Sequence, residues 1–75
     1  MIKELVEHIV KNLVEKPDLV RINVIEQDGK ETFEINVDSA DRGKVIGRQG
    51  QTIKAIRVLV AAIAPQDKKI TVDIA

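Results

Sequence analysis

The sequence predicts an α+β domain in the order α-β-β-α-α-β, with a three-stranded mixed sheet carrying three helices on one face. Three observations predict it. Residues 19–25 and 31–37 alternate apolar with polar side chains and are joined by Asp28-Gly29, a dipeptide suited to a type I′ hairpin turn. Residues 2–15 and 51–64 place apolar side chains every three or four positions, the period of a helix. A last alternating run, residues 69–74, follows two helical segments. That connection is long enough for a right-handed crossover, which sets the third strand parallel to the second.

Taken in order, Ile2, Leu5, Val6, Ile9, Val10, Leu13 and Val14 form the apolar face of the first helix. Pro17 excludes Lys16 from the α region and stops it. His8, the one histidine, sits near the polar side with no second ligand or nucleophile in view. In the strands, Val20, Ile22 and Val24, then Phe33, Ile35 and Val37, share one face. Ser39 is the expected N-cap of a short helix over about residues 40–46, with Asp38 and Asp41 favourable near its start. Gly43 inside that helix costs about 1 kcal/mol relative to alanine, so the helix must lean on its neighbours. The second helix of the connection ends at Pro65. Ile70, Val72 and Ile74 form the inward face of the last strand.

Seventy-five residues make one domain, spanning 1–75, that buries only about 60–65% of its unfolded surface. With no cysteine, disulfides, thiolate metal sites and cysteine nucleophiles are excluded. No stretch has the length of a membrane span or the pattern of a signal peptide, so a cytoplasmic location is expected. Net charge is zero, but it is unevenly placed. Residues 42–57 hold Arg42, Lys44, Arg48, Lys54 and Arg57 with no acid, a charge of +5, and the remainder carries −5.

The centre of that basic segment is Val45-Ile46-Gly47-Arg48-Gln49-Gly50-Gln51-Thr52-Ile53. Gly47 falls where one helix stops and a left-handed residue is wanted. Gly50 falls where the next begins. Neither has a Cβ, so a ligand's backbone can come close. The free N–H groups and positive dipole end of the following helix attract phosphate, and Arg48 adds a mobile cation. These properties suit a clamp for a sugar–phosphate backbone. A G-x-x-G could also do no more than turn the chain, and its position in the only acid-free basic segment favours the clamp. Phosphate-loop and dinucleotide motifs are absent, as are a nucleophile–base pair and a metal cluster. The expectation is a protein that is no enzyme and carries no cofactor.

The same run resembles the KH-domain signature, an aliphatic pair followed by G-x-x-G, and the element order is similar to the bacterial type II arrangement. Gly43 to Gly50 with Ala55-Ile56-Arg57 resembles the small single-domain KH proteins of the KhpA (YlqC) family. KH domains clamp four nucleotides with this loop. The resemblance therefore implies that Gly47, Arg48, Gln49 and Gly50 contact the backbone of single-stranded RNA. Val45, Ile46 and Ile53 would floor a groove for the bases, with residues 35–37 as its other wall. Lys44, Lys54 and Arg57 would supply flanking charge. Val45, Ile46 and Ile53 suit a plain core role equally well, and Arg57 a solvated charge. The chain has no Tyr or Trp, and its one Phe is expected in the core, so stacking cannot supply affinity.

The helix after the loop holds more apolar residues than one face needs. Ile53, Ile56, Val60 and Ile63 form one stripe, and Ala55, Val58, Leu59 and Ala62 a second. The second stripe is expected to be a self-complementary dimer interface, unless another helix of the chain covers it. The KhpA resemblance implies homodimers, a larger Jag-like KH protein as heterodimer partner, and a link to cell shape and division. Two functions follow: an RNA chaperone or post-transcriptional regulator acting as a dimer, or a dimerising adaptor in which RNA binding is secondary.

Overall fold

The computed structural model describes residues 1–75. Helix α1 spans Ile2–Leu13, strand β1 Arg21–Gln27, strand β2 Lys30–Asn36, helix α2 Arg42–Ile46, helix α3 Gln51–Ile63 and strand β3 Lys69–Ile74. The sheet runs β1-β2-β3, with β1 antiparallel and β3 parallel to the central β2. The predicted order, mixed sheet and crossover are all present. The hairpin turn is the expected type: Asp28 (φ 53°) and Gly29 (φ 78°) both have positive φ, as a type I′ turn requires.

The element ends move for local reasons. Helix α1 stops at Leu13, and Val14 is already extended. Pro17 opens a single 3₁₀ turn whose Val20 N–H donates to the Pro17 carbonyl. That turn delays β1 by two residues, and the strand then runs right up to the tight turn. Ser39 is not the cap. The chain enters α2 through a 3₁₀ turn over Ser39–Asp41, which Asp38 caps with its Oδ2 accepting from Ala40 N at 3.1 Å, and Asp41 takes the N-cap position of α2 itself with no side-chain cap bond.

Register explains the core. Ile22 pairs with Ile35, and Phe33 with both Val24 and Val72, so these side chains share the helix-covered face. Val6 and Val10 of α1, Val45 of α2, and Ile53, Ile56 and Val60 of α3 close over Val20, Ile22, Phe33, Ile35 and Val72. Each such burial contributes about 1.5–3 kcal/mol. The far end of that face is thinly covered. Val24 lies on the predicted side but stays 42% exposed.

Ile53, Ile56 and Val60 are buried, whereas Ile63, expected in the same stripe, is 45% exposed. It lines a shallow apolar hollow with Met1, Ile2, Leu5 and Pro65. The second stripe is covered by no helix of this chain: Val58 is 69% and Leu59 41% exposed, and Ala55 and Ala62 are exposed beside them.

At β3, Arg57 of α3 reaches over the free edge and donates Nε–H to the Val72 carbonyl at 2.8 Å. A guarded edge resists pairing with a foreign strand.

Candidate nucleic-acid interface

The loop is held from both sides. On the α2 side, Gly47 N–H donates to the Gly43 carbonyl at 2.9 Å, the last bond of that helix. Gly47 then leaves with φ 79° and ψ 171°. This is positive φ with extended ψ, not the left-handed helical conformation expected from the sequence. The region is essentially restricted to glycine. A Cβ here would sit on Thr52 Oγ1 and lie 2.8 Å from Thr52 N, so α3's first turn packs directly on the glycine. Gly50 is different. It is left-handed (φ 74°, ψ 16°), but nothing lies within 4 Å of where its Cβ would be.

Between them, Gln49 is also left-handed at φ 56°, ψ 26°, an unusual conformation for a side-chain-bearing residue. Gly50 N–H closes the turn onto the Gly47 carbonyl at 3.1 Å. The result pushes Arg48 and Gln49 out as an exposed tip at the N-terminus of a 13-residue helix. The positive end of that helix dipole lies at the tip.

The apolar residues named for the groove divide. Val45 (0% exposed) and Ile53 (6%) are core residues, and they anchor the two helices that carry the loop. Ile46 is half-buried and is the one of the three with surface to offer. Val37, on the expected opposite wall, is likewise half-buried.

The five cations of the basic segment divide too. Lys44 Nζ lies 3.1 Å from Glu15 and 3.5 Å from Asp41. The Glu15 carboxylate foremost, with Asp41 behind it, holds the Lys44 ammonium above its usual pKa against the opposing effect of desolvation. Arg57 is bound at the β3 edge, with Nη2 donating to Asp73 Oδ1 at 3.2 Å. Arg42, Arg48 and Lys54 are exposed and have no acidic partner. Arg42 is not among the binding residues the sequence points to, its only signal there being membership in the acid-free basic segment.

The residue behind this geometry that sequence reading placed only near a helix start is Asp41. The residue is 2% exposed. It accepts from the backbone N–H groups of Glu15 (Oδ1, 3.2 Å) and Lys16 (Oδ2, 3.1 Å). It therefore ties the end of α1 to the start of α2, one turn before the loop. Burial acts to raise its pKa, but those two N–H donors and Lys44 outweigh it and hold the carboxyl below the usual carboxylate range. No three His, Cys, Asp or Glu side chains come together in a way that could hold a metal ion. No helix is long and apolar enough to cross a membrane.

Comparison with known proteins gives one family. Residues 3–74 match the model of the KhpA/KhpB KH domain. The chain is 47% identical over 73 residues to a Clostridium perfringens protein named RNA-binding protein KhpA, covering 96% of this chain and 97% of the relative. It is 38% identical over 72 residues to the protein of that name from Thermotoga maritima, covering 96% of each. Among solved structures, it is similar to the crystal structure of APE1850, with a TM-score of 0.63 and 32% identity. That likeness covers 89% of this chain and 48% of the other.

Proposed function

The chain belongs to the KhpA/KhpB KH-domain family, and we propose that it binds single-stranded RNA and works as a dimer. Its relatives carry the name of RNA-binding proteins, which sets it among binding modules and not enzymes. The observation that carries the reading is the loop itself. An exposed Arg48-Gln49 tip stands between two positive-φ glycines at a helix N-terminus, with Arg42 and Lys54 unpaired on either side.

In this reading residues 1–75 act as a single KH domain. Phosphates lie against the tip and the first N–H groups of α3, where backbone donors and the dipole favour an anion. The sugar–phosphate chain can approach because Gly47 and Gly50 carry no side chain. Half-buried Ile46 offers apolar surface to a base, while Val45 and Ile53 hold it in place from the core. Lys54 and Arg42 add charge. Lys44 and Arg57 contribute less than their sequence positions suggest, because each already has an acidic partner. Without aromatic stacking, one copy binds weakly. The uncovered stripe Ala55, Val58, Leu59 and Ala62 supports a second copy, and two loops on one RNA multiply the affinity. A larger Jag-like KH protein is the alternative occupant of that stripe. The role that fits is an RNA chaperone or post-transcriptional regulator in the cytoplasm, connected with cell shape and division.

The exposed stripe also favours a second reading, a dimerising adaptor for which RNA is secondary. Two variants separate them. Replacing Arg48 and Gln49 together by Asp should abolish crosslinking to RNA in cells while leaving the sedimentation mass of a dimer. Leu59→Glu should halve that mass and weaken binding to a long single strand by at least about tenfold. Retained crosslinking in the loop variant refutes the RNA reading. A wild-type mass of one chain, unchanged by Leu59→Glu, refutes the dimer. A cellular phenotype that follows only Leu59→Glu favours the adaptor.

A further inference from the structure

Two of the five basic side chains around the loop are held by acids that the fold does not need. Glu15 is 79% exposed and lies 3.1 Å from Lys44 Nζ. Asp73 is 65% exposed and lies 3.2 Å from Arg57 Nη2. Exposed pairs of this kind add little to folding stability. Neither is required to position its cation. Lys44 keeps buried Asp41 as a partner, and Arg57 keeps the Val72 carbonyl. What the two carboxylates do change is the field. Each carboxylate lies beside a cation that a phosphate would otherwise approach, and each adds a negative charge to the flank of the acid-free basic segment.

We propose that Glu15 and Asp73 are built-in competitors for the RNA backbone, which limit the number of phosphates the loop region can neutralise to about three per chain. The inference rests on the RNA-binding reading of the loop. It gives the neutral net charge a function: affinity is capped, so that a single copy releases its RNA readily and retention depends on a second.

The test measures binding of a short single-stranded RNA across a series of salt concentrations. For single strands the slope of log K against log salt is about −0.7 per phosphate neutralised. The double variant Glu15→Gln/Asp73→Asn should bind about tenfold more tightly at low salt, with a slope steeper by about 0.7 to 1.4, because Arg57 is freed and Lys44 is left with Asp41 alone. The control is Glu26→Gln/Asp28→Asn. It changes net charge equally, but sits at the hairpin, the end of the sheet away from the loop, and Asn-Gly preserves the turn. It should shift affinity by less than about twofold and leave the slope unchanged. Equal behaviour of the two double variants, or a wild-type slope in Glu15→Gln/Asp73→Asn, overturns the proposal. The Arg48→Asp/Gln49→Asp variant is run alongside. If it loses binding while the slope of the competitor variant stays unchanged, only this inference fails. If it binds as wild type does, the loop reading fails and this inference with it.

Discussion

Gly47→Ala is expected to lower the melting temperature by about 15 °C or more and to abolish RNA binding. The new methyl would meet Thr52 Oγ1 and the Thr52 backbone nitrogen, and helix backbone cannot give way as a flexible side chain can. The conformation at φ 79°, ψ 171° is itself closed to alanine. Together these cost about 3 kcal/mol or more, against a total of about 4–11 kcal/mol for a domain of this size. Gly50→Ala is the internal comparison. It also has positive φ, but its Cβ would enter open space, so it should cost only about 1–2 kcal/mol. Thermal melts followed by circular dichroism check both. Equal losses at the two glycines would mean that Thr52 does not pack on Gly47 as described.

Asp41→Ala carries the second large effect. It leaves the N–H groups of Glu15 and Lys16 without acceptors in a part-buried place and releases the end of α1 from α2. The melting temperature should fall by about 5–15 °C at neutral pH. The pH dependence follows from the sign of the shift. The folded carboxyl titrates below its unfolded value of about 3.9, so its contribution is fully present above that value. It is lost as pH falls through the lower folded value. Melts from pH 7 to 2 should therefore show the wild type converging on Asp41→Ala as the acid is protonated. A constant gap between the two curves down to pH 2 would show that the charge of Asp41 is not what the N–H groups require.

The fold was legible where its causes are local. Asp28-Gly29 specifies its own turn, and period alone separates α3 from β3. The loop proposed as the site was legible for the same reason: Gly47 to Gly50 is one contiguous turn. What could not be read depends on partners distant along the chain. Asp41 looked like an ordinary residue near a helix start because the N–H groups that donate to its carboxylate lie 25 and 26 residues away. Lys44 and Arg57 counted as free charges because Glu15 and Asp73 come to them only in the folded chain. Ile63 continued the buried stripe by periodicity, but its surroundings are the partly open hollow with Met1 and Pro65. The asymmetry between Gly47 and Gly50, identical in the motif, is decided by where Thr52 packs.

The salt dependence of single-stranded RNA binding by the wild-type chain tests the central claim most directly. Arg42, Arg48 and Lys54 are the cations without an acidic partner, so a short strand titrated by fluorescence anisotropy at increasing salt should give a slope near −2 for each chain bound, about −0.7 for each of them. Binding whose affinity does not change with salt, or no binding at low salt, would contradict the assignment of this loop as a clamp for the RNA backbone.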